Sequence, residues 1–500
     1  MNKSTKILLP FYFVFLCNGI CFFGAQGCLL TVLGSLDPPI DGLLPQMALY
    51  AAAIIGPLNA VSIMDVLGLK TTIAIWSVGQ ASLCGSLFYP IESLVYISCI
   101  LAGWSSSLSY VVGTTVIARV STKHGSSEAT NSGLWNLSLV SSLLCCNLAV
   151  FIIFNGKSQI TYQDRYCLMV PLTLMGLLAC LFSLCINEEE YGCSGAARKQ
   201  LRSNDQGDSR SASFIAVEEG SNLDSRATSE SGTLSCNSLE FQLHPCLNEN
   251  QPENIFRKIQ TFLISQLDLV KSIILTCCEG KALLLYSTGP AVGMTNGFCC
   301  GVAQSAVGNS LYIQDSKEVM GLMGIGIGFG QIFGCILYAI FSSKSNFNGQ
   351  FSFLYVFTYL LGFYIIFAIL PPDSISAETT EKGYFTHYSS YLAVLSGVLQ
   401  GMGNSVTYCQ FTYIFCIVFQ HTPDDSIYFS GMYISIGLGS ALFFFVSDQI
   451  TLPLQLLILV FFTLQSAAVY LGVESSHRRG ERNKQLQINS VGASGVEVVS

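Results

Sequence analysis

Asn18 and Gln26 recur 278 positions later as Asn296 and Gln304, and Gly19, Cys21 and Ala25 are matched in register by Gly297, Cys299 and Ala303. Both copies sit in long apolar runs. A side-chain amide there carries no charge, yet it both donates and accepts hydrogen bonds. It can hold a neutral solute, or it can tie helices together at roughly 0.6–2 kcal/mol per bond. On a helix, Asn18, Cys21 and Ala25 share a face with Gln26 at its edge. Asn404 and Gln410 extend the set in a later apolar run, with Asn136, Asn147, Gln331 and Gln400 beside them. Asn18, Gln26, Asn296, Gln304, Asn404 and Gln410 are therefore candidates for a substrate pathway. An amide-lined cavity and interhelical ties are both open readings.

Charge chemistry is missing from the same runs. No Asp, Glu, Lys, Arg or His falls in the core of an apolar run, and the five His lie in loops or tails. Intramembrane carboxylates and histidines are the usual proton relays and ion sites. Their absence argues against proton coupling and against a strongly charged substrate. The run Gly321, Gly324, Gly326, Gly328, Gly330, Gly334 lacks a dinucleotide-loop spacing, because Gln331 stands where the last Gly should be. Close helix packing through Gly326-x-x-x-Gly330-x-x-x-Gly334 is the better reading. None of the 20 cysteines has Cys-x-x-Cys spacing, and most lie in apolar runs as small buried hydrophobes. No catalytic constellation, metal site or cofactor is implied, so an enzyme is not expected. Without a basic patch carrying interleaved aromatics, nucleic acid is not an expected partner either.

The elements that must position these residues are membrane helices. The chain is 51% hydrophobic and only 11% charged, against about 25% charged in soluble domains. A bilayer-crossing helix needs about 20 apolar residues. Such runs lie near 7–33, 43–64, 71–89, 95–118, 132–154 and 168–186, then near 282–309, 318–341, 351–370, 388–419, 427–447 and 453–472. The first run is too long for a signal peptide and lacks a clear cleavage site, so it reads as a retained helix. With both termini in the cytosol, 19 of the 23 Lys and Arg fall on the inner side, as the positive-inside rule asks. Residues 187–254 are polar and too poor in apolar residues to fold alone. Residues 255–278 carry Ile255, Ile259, Phe262, Leu263, Val270 and Ile274 near one helical face and read as an amphipathic helix on the cytosolic membrane surface.

A second echo links the fourth and tenth runs. Gly103, Ser107 and Tyr110 correspond to Gly401, Ser405 and Tyr408, each 298 apart, and Ser132-Gly133-Leu134-Trp135 to Ser430-Gly431-Met432-Tyr433. The chain thus divides into two parallel six-helix halves, an arrangement that resembles the major facilitator pattern, with the substrate path between the halves. The loop Asp65-Val66-Leu67-Gly68-Leu69-Lys70 resembles that superfamily's motif between the second and third spans at Asp65, Gly68 and Lys70. Those three are candidates for a cytosolic gate; the alternative is a helix-end turn with solvated charges.

The chain more specifically resembles the Unc-93-like family of that superfamily. The residues carrying this are Asn131-Ser132-Gly133-Leu134-Trp135 with Ser141-Ser142 and Asn147, and Gly401-x-Gly403-Asn404-Ser405 followed by Gln410. The outer loop Gly156-Lys157-Ser158-Gln159-Ile160 with Asp164-Arg165 is similar to the subgroup called major facilitator superfamily domain-containing protein eleven. Where that family carries a Trp and a Gln before a Gly in the fourth span, this chain has Ser109 and Val112 before Gly113.

The expectation is an all-α polytopic membrane protein with the major facilitator fold. Its parts are a six-helix bundle over 1–186, a cytosolic linker over 187–280, a second bundle over 281–473 and a cytosolic tail over 474–500. The first functional expectation, from the charge-free core, is a solute-carrier-like transporter of a small uncharged or organic solute working by alternating access without an obvious proton site. Its rival is a non-transporting partner that regulates an ion channel or escorts a membrane receptor. Expected partners are the lipid bilayer and either that solute or that channel or receptor.

Overall fold

The computed structural model describes residues 3–34, 36, 40, 43–154, 161–186, 191, 255–276, 279–310, 312–313, 316–342, 349–375, 379–384, 389–419, 425–447 and 449–494. Nearly all of them are helical. The first half holds α1 (Lys3–Gly34), α2 (Leu43–Ser86), α3 (Glu92–His124), α4 (Glu128–Phe154) and α5 (Tyr162–Ser183). A separate helix, α6 (Ile255–Thr276), comes next. The second half opens on a broken run: α7 (Gly280–Tyr286), α8 (Gly289–Gly297), a π-helical turn (Phe298–Val302) and α9 (Ala303–Asn309). It continues as α10 (Ser316–Phe341), α11 (Gln350–Ile369), α12 (Ser390–Phe419), α13 (Asp425–Ser447) and α14 (Leu452–Ser494). In lipid the backbone must satisfy its own hydrogen bonds, and helices do so within each segment.

Among the described residues, nine helices are long and apolar enough to cross a membrane. Three of the twelve expected spans fall outside that count for separate reasons. The second and third expected spans run together in α2, and only Leu44–Met64 qualifies there. The seventh is cut into short pieces between 280 and 309. The tenth, α12, is diluted by Gln400, Asn404, Thr407, Gln410 and Thr412, all buried.

Gly68 is what bends α2. Its backbone sits at φ 81°, ψ 171°, a region essentially closed to residues with a Cβ. The break lets two spans lie side by side although the helix pattern continues through them. Gly68→Ala is expected to cost about 1–3 kcal/mol, seen as a lower unfolding midpoint in detergent. An unchanged midpoint would contradict the strain. The side chain of Asp65 lies outside the described residues, and Lys70 is half-buried.

The internal duplication is written in the helix crossings. A Cβ added at Gly103 would run into the backbone of Leu49, and one added at Gly401 would run into the backbone of Ile327. The glycines are 298 apart and their partners 278 apart. Likewise a Cβ at Gly56 would strike Ser107 and the Trp104 carbonyl, and one at Gly334 would strike Ser405 and the Met402 carbonyl. The two sequence offsets thus define equivalent contacts: α2 on α3 in one half, α10 on α12 in the other.

Glycines on two faces give α10 two neighbours. Gly326, Gly330 and Gly334 lie against Val394, Val398 and Met402 of α12. Gly321, Gly324 and Gly328 lie against Phe151, Asn147 and Leu144 of α4. The glycine run is a packing surface, and its second face joins the two halves. The other seam runs between α2 and α13, where Gly437 meets Ala53 and Ile54. Each half has its own aromatic core, with Phe15 beside Trp76 and Trp135 in the first and Tyr338 beside Phe351 in the second. The outer surface exposes Ile97, Ile100, Leu177, Leu181, Phe353, Phe357 and Phe461. That much exposed apolar surface suits contact with lipid tails.

α6 forms over most of the expected amphipathic segment. Leu269, Ile273 and Thr276 are the buried side, with Thr276 Oγ1 3.2 Å from Tyr286 Oη. Leu267 and Ile274 are exposed on the opposite side, and Ile274 belongs to the apolar face expected to lie on the membrane surface. The rest of the expected linker lies outside the described residues except Tyr191, Glu279 and Gly280. The Tyr191 side chain is buried, its ring lies tilted 6.0 Å from that of Phe11, and its hydroxyl donates to the Ile7 carbonyl at 2.8 Å.

A central cavity between the halves

A cavity of about 130 Å³ lies between the halves. α1 to α4 contribute Phe22, Phe23, Gln26, Tyr50, Tyr110, Trp135 and Asn136. The second half contributes Asn296, Cys300, Gln331, Asn404, Tyr408 and Tyr433. Among the described residues, no Asp, Glu, Lys, Arg or His lines it. A mostly apolar, aromatic-walled cavity with a few convergent polar groups is the usual form of a small-molecule site.

Of the six pathway candidates, the structure places Gln26, Asn296 and Asn404 on the cavity wall. Gln26 Nε2 donates to Tyr50 Oη at 2.6 Å. Asn404 bridges: its Nδ2 donates to Asn296 Oδ1 at 3.0 Å, and its Oδ1 accepts from Tyr359 Oη at 3.3 Å. Cys300 Sγ also stands 3.5 Å from Asn296 Oδ1. The other three lie off the lining. Asn18 is fully buried and donates to Ser77 at 2.9 Å, tying α1 to α2. Gln410 is fully buried and donates to Ser352 at 2.7 Å, tying α12 to α11. Gln304 donates back to the carbonyls of Cys299 and Cys300 at 3.4 and 3.5 Å.

The π turn explains why matched residues part company. α1 is an uninterrupted α-helix, and Phe22, Phe23 and Gln26 are its lining residues. Between Asn296 and Gln304 the turn at Phe298–Val302 takes in an extra residue. That swings α9 by roughly 100°, one residue's step. Asn296 and Cys300 face the cavity, and Gln304 is carried round beside Gly324 of α10. There Asn147 Nδ2 donates to the Gly324 carbonyl at 3.1 Å across the seam.

The wall also holds aromatic residues that were not among the six pathway candidates. Tyr110 stacks on Tyr433 across the halves, with centroids 5.6 Å apart, and meets Trp135 edge-on at 6.1 Å. Tyr50 stacks on Phe444 at 5.1 Å, also across the halves. One signal did point here: Ser107 and Tyr110, with Ser405 and Tyr408 at the 298 offset, all line the cavity.

The different surroundings of the two matched asparagines give a prediction. Asn18→Ala should lower stability by about 0.6–2 kcal/mol, the worth of one interhelical bond, and leave solute binding in the cavity intact. Asn296→Ala should impair binding. Ligand titration and thermal unfolding of both variants would separate the roles, and equal binding losses would refute the separation.

Known proteins share this architecture. Residues 38–471 match the family described as "Ion channel regulatory protein UNC-93". Two relatives are named "UNC93-like protein MFSD11". The one from Xenopus laevis is 24% identical over 453 residues, spanning 89% of this chain and 90% of its own. The one from Xenopus tropicalis is 23% identical with the same coverage. The fold is similar to that of the proton:xylose symporter XylE bound to 6-bromo-6-deoxy-D-glucose. That match has a TM-score of 0.57 and 10% identity over 93% of this chain and 95% of that one. It is also similar to a peptide transporter POT in complex with sulfate, with a TM-score of 0.53 and 11% identity over 95% and 94%. The all-α fold is that of major facilitator transporters.

Proposed function

The chain belongs to the UNC-93 family, and from that membership and the central cavity we propose a solute-carrier-like protein for a small uncharged or organic solute. The observation that carries this reading is the cavity itself. It lies between the halves, is walled by both, and has no charged or histidine side chain among its described lining residues. The solute would bind among Gln26, Asn296 and Asn404, and the halves would rock about it by alternating access, without a proton site. Desolvating an ion against this wall would cost far more than desolvating a neutral molecule.

The supporting topology is six helices on each side of the cytosolic segment 187–280, with both termini and the tail 474–500 in the cytosol. The Lys and Arg distribution supports that orientation. Asp65, Gly68 and Lys70 would then sit at the cytosolic mouth as gate residues.

The test is uptake by purified protein in liposomes, across a panel of neutral sugars, nucleosides and lactams, with Asn296→Ala as control. Saturable uptake that falls in Asn296→Ala supports the reading. The description of the family as ion channel regulatory supports a second reading, a non-transporting regulatory or trafficking partner of a channel or receptor. No flux for any solute, with a channel's current altered by co-reconstituted protein, would put the second reading first.

A further inference from the structure

We propose that α6 is a strap over the inner end of the seam between α2 and α13, carried by the second half and released from α2 when that end opens. This rests on the proposed rocking of the halves. α6 packs against α2 of the first half and against α13 of the second. Those two helices meet each other where Gly437 lies beside Ala53 and Ile54. A helix that packs on both therefore crosses their seam. Its level follows from its partners. Thr276, the last residue of α6, has its Oγ1 3.2 Å from Tyr286 Oη, and Tyr286 donates to the Tyr428 carbonyl at 3.3 Å. Tyr428 lies in the first turn of α13, whereas Phe444, which stacks on Tyr50, lies near its other end. α6 thus sits at the end of the seam towards the kink of α2 at Gly68, the cytosolic end in the proposed topology.

The strap is fastened to the second half. Glu279 joins α6 to α7, and Tyr428 Oη donates to its carboxylate, 3.0 Å from each oxygen. Hydrogen bonds to an ionised group are about twice as strong as neutral ones. The Tyr428 ring is itself stacked on Phe419 with centroids 4.0 Å apart, and that of Tyr286 on Phe415 at 5.8 Å. Along the chain, α6 reaches the first half only through the polar segment 187–254. When the halves rock, α6 travels with α13, and its packing on α2 is what parts. Leu269 and Ile273 are the apolar residues of its inner face, each 6% exposed. Their burial favours the closed seam.

Two measurements on the full chain in lipid nanodiscs test this. Genetically encoded amino acids carry the probes, because the chain has 20 cysteines. In the first, p-benzoylphenylalanine is placed at Leu269 or at Ile273 and irradiated. The two sites together should crosslink to peptides of both α2 and α13. Crosslinks to one half alone would overturn the strap. In the second, spin labels at Leu67 and Leu284 report the inner end, and labels at Leu44 and Leu442 the outer end; all four positions are exposed. Leu269→Ser with Ile273→Ser should raise the population with a longer inner distance by about ten-fold or more, without lengthening the outer one. Leu267→Ser, on the exposed side of α6, should behave as the unaltered chain. An inner distance unchanged in the double variant, while a transported solute still lengthens it in the unaltered chain, would overturn the strap and leave the rocking standing. An inner distance that neither the variant nor any solute alters, with no uptake of any solute, would overturn both. If both pairs broadened, the variant would be unfolded and the crosslinks alone would decide.

Discussion

Valine at Gly103 or at Gly401 is expected to abolish recovery of folded protein, and alanine at either to lower its unfolding free energy by about 1–3 kcal/mol. A Cβ at Gly103 would strike the backbone of Leu49, and one at Gly401 the backbone of Ile327. Backbone cannot swing aside as a side chain can, so the helices must separate. Dispersion falls steeply with such a gap, and in a membrane packing of this kind is a main source of helix association. Because the two crossings are equivalents of one duplicated unit, the two alanine variants should lose similar amounts. Gly472, with nothing within 4 Å of an added Cβ, is the control and should tolerate alanine. Thermal unfolding in detergent checks all three. A neutral Gly401→Ala beside a damaging Gly103→Ala would break the equivalence.

Asn404→Leu is expected to reduce solute binding and flux by ten-fold or more. One amide here serves two partners, donating to Asn296 Oδ1 and accepting from Tyr359 Oη. Leucine removes both bonds, each worth about 0.5–1.5 kcal/mol net. Since 1.4 kcal/mol is a factor of ten, the two losses together suffice for the expected effect. The Asn296 side chain is half-buried on the wall, so losing its anchor also loosens the group that would meet a solute. Asn404→Asp separates shape from bonding. It keeps the acceptor for Tyr359 but sets an oxygen against Asn296 Oδ1, and should impair binding nearly as much. Full activity in Asn404→Leu would show that the bridge plays no part.

Much of this architecture was legible in the residues because two physical signals survive in any membrane protein. Apolar runs of bilayer length mark the spans, and small residues at fixed spacing mark close crossings. Gly103 and Gly401 were visible as an echo before their partners Leu49 and Ile327 were known. Gly326, Gly330 and Gly334 read as a packing stripe and pack against α12. The site was only half legible. Polarity in an apolar run singles out the amides but does not say which way each points. Asn18 and Gln410 satisfy that criterion by tying helices inside a half. Gln304 differs from Gln26 because a π turn intervenes, and nothing in the composition of Phe298–Val302 announces one. Tyr110, Tyr408 and Tyr433 belong to the 298-residue echo, which marks equivalent positions without saying that they line a cavity. Only the meeting of Tyr110 with Tyr433 across the halves gives them a place in the wall.

The central claim is a solute site in a charge-free cavity shared by both halves. Its most direct test is exchange of a labelled neutral solute by purified protein in liposomes, measured with and without an imposed proton gradient. The account predicts saturable exchange of equal rate in both conditions, unchanged by a protonophore and lost in Asn404→Leu. Exchange driven by the gradient, or exchange that Asn404→Leu leaves intact, would contradict it.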